Sequence, residues 1–152
     1  MNKLNWIKIN RKTAFLVRLV LGAILIAAGI PKILDTVSFA GMVYNYQILP
    51  DQLINLTALF LPWLEVLVGV LMITGVWLPG AVILYNGLML AFIAALSFNI
   101  YRGVDISCGC FSTSPGESID MGTVLRDVVI LAGSLYFAAV VFIKKISGER
   151  PL

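Results

Sequence analysis

The chain has no histidine and only two cysteines among its 152 residues. Without histidine, two sulfurs do not fill a tetrahedral zinc site, so no metal is assigned. Copper(I) held by two thiolates is the one soft-metal arrangement left, with Met42 and Met121 as thioethers that more often serve packing. Charge is scarce as well: 12% of the residues are charged and 60% are hydrophobic. A soluble domain of this length could not bury so much apolar surface. Polar linkers, repeats and low-complexity tracts are missing, which leaves a single domain over 1–152. The net charge of +3 is small and sits at the chain ends, so it anchors the protein and does not point to nucleic acid.

What is present is four apolar runs, near 13–34, 54–77, 80–100 and 123–143. Each is long enough to span a bilayer, which needs roughly 20 apolar residues. Backbone polar groups in lipid must be satisfied within the segment, so the runs are helices. Their short connections predict an all-α, integral membrane four-helix bundle. The first run continues past Ala27-Ala28-Gly29 to Leu34, longer than a signal-peptide core, and is read as an uncleaved helix.

Basic residues give the expected topology. Lys3, Lys8, Arg11 and Lys12 precede the first run, and Lys144, Lys145 and Arg150 follow the last. The turn at Pro79-Gly80 is uncharged, and the two remaining loops hold Asp35, Asp51, Asp105, Glu117 and Asp120. The positive-inside rule then puts both termini in the cytoplasm of a bacterium and the other two loops in the periplasm.

The two cysteines, Cys108 and Cys110, lie in one of those outward loops with Gly109 between them. Disulfides form and persist in that oxidising compartment. A Cys-Gly-Cys ring is very small, so it is strained and contributes little as a staple. Strained, exposed disulfides are the labile ones, which favours thiol–disulfide exchange over an inert local bridge. Cations lower a thiol's pKa, and Lys32, Arg102 and Arg126 fall near the outer helix ends, with Asp127 able to offset them. Arg102 and Arg126 serve equally as headgroup anchors.

Two charges fall deeper. Arg18 is about five residues into the first helix and Glu65 about eleven into the second, which places them at similar depth at a rise of ~1.5 Å per residue. Intramembrane charges are usually paired, so an Arg18–Glu65 ion pair is expected, either structural or part of a proton or quinone site. Pro62 is expected to kink the second helix. Gly87, Ala91 and Ala95 form a small-residue stripe that admits a neighbouring helix. The loop from Asp35 to Asp51, with Phe39, Met42, Tyr44, Tyr46 and Leu49, has the makings of a short amphipathic helix covering the bundle end.

Several stretches carry a family resemblance. Arg18-Leu-Val-Leu-Gly22, Gly29-Ile-Pro-Lys32 and Leu61-Pro62-Trp63-Leu64-Glu65 resemble the DoxX-like superfamily. Asp105-Ile-Ser-Cys108-Gly109-Cys110-Phe111 with Arg126-Asp127 resembles its MauE (methylamine utilisation) branch. The resemblance implies a role in disulfide formation in periplasmic proteins, beside a thioredoxin-like partner. The outward cysteine pair is also similar to membrane thiol oxidases that pass electrons to quinone. Those enzymes use two cysteine pairs, and this chain has one and no Cys-x-x-Cys. The competing expectation is a small subunit or assembly factor of a larger membrane complex with a structural Cys-Gly-Cys bridge. Some DoxX relatives serve in this way in sulfur-compound:quinone oxidoreductases.

Overall fold

The computed structural model describes residues 11–103 and 121–146. Among them are five helices and no strand: α1 (Arg11–Leu34), α2 (Thr36–Tyr46), α3 (Asp51–Thr74), α4 (Leu78–Tyr101) and α5 (Met121–Ile146). Four are long and apolar enough to cross a bilayer, with spans Lys12–Leu34, Asp51–Thr74, Leu78–Tyr101 and Val124–Lys144. Large apolar side chains such as Phe15, Leu56, Phe60 and Ile83 face outward. In water that surface would drive association, whereas in lipid it is the solvated face. The all-α membrane bundle is the fold, with α2 added across one end.

Local chemistry sets the helix limits. Asp35 caps α2 by accepting from the Ser38 amide at 3.0 Å. Those hydrogen bonds hold the Asp35 carboxyl below the usual carboxylate range. Gly75 ends α3 with φ 75°, where its amide donates to the Leu71 carbonyl at 2.9 Å. Pro79 sits in the first turn of α4, where a missing N–H costs nothing. Both Pro31 and Pro62 lie inside helices that continue through them.

α1 and α3 run antiparallel in the closest contact of the bundle. A Cβ on Gly22 would lie 2.6 Å from the Gly69 carbonyl oxygen, and one on Gly69 would lie 2.8 Å from the Gly22 oxygen. Only glycine allows that approach. α4 and α5 are clamped by Ser134, whose hydroxyl donates to Asn86 Oδ1 at 2.7 Å. The main core (Val68, Met72, Val82, Tyr85 and Phe137) fills the half of the bundle nearer the start of α1 and the end of α5. The opposite half, called the loop end below, is less completely filled. α2 lies there, and the segment carrying Cys108 and Cys110 connects α4 to α5 there.

Candidate functional site: a buried ion pair beneath an apolar pocket

The loop end is organised around Lys32. Its Nζ donates to Glu65 Oε1 at 2.7 Å and to Oε2 at 2.9 Å. The two side chains are 3% and 9% exposed, so this is an ion pair withdrawn from solvent. Phe39 of α2 and Phe92 of α4 flank the ammonium, with ring centroids 5.2 and 5.8 Å away. Both rings and the C-terminal dipole of α1 attract the ammonium. Four helices thus meet at one amine.

The expected Arg18–Glu65 pair does not form. Arg18 lies at the other end of the bundle, where Nε donates to the Met72 carbonyl at 3.0 Å and Nη2 to the Ile73 carbonyl at 2.9 Å. Those carbonyls belong to the last turn of α3 and have no helical donor, so the guanidinium caps a helix end that lipid could not hydrate. The packing of α1 on α3 separates the two candidates: a Cβ on Gly29 would lie 3.3 Å from Glu65 Cβ and one on Gly22 2.6 Å from the Gly69 oxygen, so Glu65 stands level with the Lys32 end of α1. Side chains lean toward the N-terminus of their own helix. On antiparallel α1 and α3, Lys32 and Glu65 therefore lean toward each other, while Arg18 and Glu65 lean apart.

Above the ion pair opens a pocket of about 370 Å³. Its walls are Phe39, Met42, Val43 and Tyr46 of α2, Thr57 and Leu61 of α3, and Leu88, Ala91, Phe92 and Ala95 of α4. The pocket is apolar except for Lys32, Glu65, Thr57 and Tyr46. Burial pushes the Tyr46 hydroxyl up to about 12, so it stays a protonated donor at neutral pH. The small-residue stripe of α4 takes on a different role from the expected one. Ala91 and Ala95 make room for the pocket, and nothing packs where a Cβ on Gly87 would point. The helix anticipated between Asp35 and Asp51 is α2, and it roofs this space.

A second, smaller cavity of about 40 Å³ adjoins the pocket and shares Lys32, Glu65, Leu88 and Phe92 with it. Arg126 and Asp127 of α5 border it. Arg126 Nε donates to Asp127 Oδ1 at 3.0 Å. Of the four residues expected to tune a thiolate, Lys32, Arg126 and Asp127 therefore meet at one cavity. Arg102 stands apart, exposed, donating to the Tyr46 carbonyl at 3.3 Å and to Gln47 Oε1 at 2.9 Å. It ties the end of α4 to the end of α2. Cys108 and Cys110 lie outside the described residues. No group of three or more metal-ligating side chains occurs among the described residues.

The sequence itself matches the family model of methylamine utilisation protein MauE over residues 10–142. This chain belongs to the MauE family. Relatives bearing that name include those of Paracoccus denitrificans, 37% identical over 123 residues, and Methylophilus methylotrophus, 35% identical over 129. The alignments cover 80% and 84% of this chain and 66% and 68% of those relatives, so it spans about two thirds of their length. The MauE protein of Methylorubrum extorquens is 41% identical over 96 residues, covering 62% of this chain and 52% of that one. No solved structure matches the chain. The MauE match takes in α1 to α4, the whole of the α4–α5 connection and α5 as far as residue 142.

Proposed function

We propose that this MauE-family chain is a membrane accessory protein of methylamine utilisation that oxidises protein thiols through Cys108 and Cys110. The relatives' name supports the pathway. One structural observation carries the chemistry: a buried ion pair floors an apolar pocket at the bundle end from which the cysteine segment leaves. The bundle spans a bacterial inner membrane with its termini in the cytoplasm, in keeping with its basic ends. The cysteines then meet a thioredoxin-like partner in the periplasm.

In the first step a partner thiolate attacks one sulfur of the Cys108–Cys110 disulfide and forms a mixed disulfide. The partner's second thiol resolves it, leaving the partner oxidised and Cys108 and Cys110 as a dithiol. Reoxidation of that dithiol yields two electrons and two protons, so an acceptor of both is required. A quinone supplies such an acceptor when bound, and the pocket suits its ring. Phe39 and Phe92 offer faces for stacking, and Thr57 and Tyr46 carry hydroxyls. Lys32 has one N–H beyond its two bonds to Glu65, and Glu65 keeps free lone pairs. That combination of donor and acceptor suits a carbonyl or a hydroxyl equally.

Single-cysteine variants test the proposal. Cys110→Ser and Cys108→Ser should each trap a periplasmic protein as a reductant-cleavable adduct, one of them much more strongly than the other. Replacing both should abolish the adduct and the maturation of the client protein. Full maturation with both cysteines replaced would instead identify an assembly subunit with a dispensable bridge.

A further inference from the structure

Two half-buried residues of α3, Thr57 and Leu61, line the pocket over Lys32 and Glu65 and also line a groove on the outer face of the same helix. The outer walls of that groove include Leu56, Phe60, Trp63 and Leu67, each more than half exposed. From Leu56 to Leu67 it follows about 16 Å of helix, at a rise of ~1.5 Å per residue. Around α3, at ~100° per residue, Glu65, Leu61, Thr57 and Phe60 succeed one another in one direction. The floor of the pocket and the groove are therefore joined around the helix without crossing the face that packs on α1. The pocket itself, about 370 Å³, is near the small end of the roughly 300–1,000 Å³ found for ligand sites. It has room for a ring-sized head and not for a long chain. Its polar groups gather around Lys32 and Glu65, between the rings of Phe39 and Phe92, so it complements a molecule that is planar and polar at one end.

We propose that the pocket is entered sideways from the bilayer past Thr57 and Leu61, and that the groove on α3 carries the apolar tail of an isoprenoid quinone whose ring lies over the Lys32–Glu65 pair. The inference rests on the quinone reading above and adds the route and the determinant of specificity. A quinone dissolved in the membrane then reaches the ion pair without crossing water. Acyl chains solvate the groove as well as a tail does, so burial of apolar surface does not select the tail. Tethering does: a tail attached to a bound ring has a high effective concentration beside α3 and displaces free acyl chains. The site thus prefers a tailed quinone to the same ring without a tail.

The test uses the full chain in lipid nanodiscs and a ubiquinone analogue carrying a photoactivatable diazirine on its isoprenoid tail. After illumination, mass spectrometry should find the label concentrated on Leu56, Phe60, Trp63 and Leu67, and excess unlabelled analogue should remove it. A phospholipid with a diazirine in its acyl chain should label every outward face, those of Phe15 and Ile83 included, without competition. Affinities are measured by titration against empty nanodiscs. Phe60→Ala/Trp63→Ala changes only outward-facing side chains, and it should weaken binding of the tailed analogue roughly fivefold while leaving a tailless benzoquinone unaffected. Tail label spread evenly over the outward faces, label that excess analogue does not remove, or equal affinities of variant and wild type for the tailed analogue overturns the proposal. After such a result, saturable binding of the tailless benzoquinone that is lost in Lys32→Met/Glu65→Met would leave the quinone reading standing. If neither analogue binds saturably, that reading falls and the tail route with it.

Discussion

Lys32→Met is the most informative single substitution in the bundle. Methionine keeps most of the length of the side chain, ending one atom short of the ammonium, and removes the charge. Glu65 then loses both accepted bonds, at 2.7 and 2.9 Å, in a site where the two side chains are 3% and 9% exposed. Hydrogen bonds to charged groups contribute about 1.5–3 kcal/mol each. Breaking a buried pair from one side costs ~3–5 kcal/mol, mostly from the uncompensated charge. Glu65→Met should cost a similar amount. The double variant Lys32→Met/Glu65→Met removes both charges together, and replacing a whole buried pair with apolar groups is close to neutral. It should therefore be more stable than either single variant. Thermal unfolding in matched micelles or nanodiscs, read by helical circular dichroism, measures all three. Additive losses in the double variant would refute the pair as a single energetic unit. The double variant also separates stability from function: it should fold and yet fail to reduce quinone.

Four further outcomes rest on local contacts. Gly69→Ala puts a methyl 2.8 Å from the Gly22 carbonyl oxygen and 2.7 Å from Ile26, so the α1–α3 contact should lose about 1–3 kcal/mol in the same unfolding assay. Gly87→Ala, where nothing lies within 4 Å, should be near neutral. Arg18→Met strips two donors from the last turn of α3 and should raise hydrogen exchange at the α3–α4 turn, with the Lys32–Glu65 end unaffected. Asp35 stabilises α2 as a carboxylate whose pKa is depressed in the folded state. That contribution is full above its ordinary value of about 3.9 and is lost as pH falls through the lower folded value. Exchange of α2 amides should rise only in that acid window, and in Asp35→Ala it should be fast at every pH.

The four spans were legible because hydropathy and length decide them. Their ends were less so, and local geometry explains the shift. The apolar run through Val76 and Trp77 hides the helix end, which Gly75 at φ 75° imposes and Trp77 at φ 51° confirms. The sequence also pointed to the charged residues of the site but not to their partners. The bounds of the apolar runs put Arg18 and Glu65 at similar depth, whereas the packing of α1 on α3 sets Gly29 beside Glu65 and Gly22 beside Gly69, which leaves Arg18 toward the far end and Lys32 within reach of the acid. Small residues misled in the same way. Ala91 and Ala95 of the α4 stripe open a pocket, while Gly22 and Gly69, with Gly29 farther along the same face of α1, are what bring helices together. Phe39 was expected only as part of the covering helix, and Phe92 carried no signal of its own, since aromatic rings are common in apolar runs. Their role appears only once α2 is folded over α4.

Thiol oxidation by this chain requires Cys108 and Cys110 to cycle between dithiol and disulfide. The most direct test is differential thiol alkylation of native membranes across a series of redox buffers, with the two residues read by mass spectrometry. A reversible two-electron transition is expected in the range of thiol–disulfide oxidoreductases, about −120 to −270 mV. A pair that stays oxidised well below about −300 mV would be a structural bridge and would contradict it.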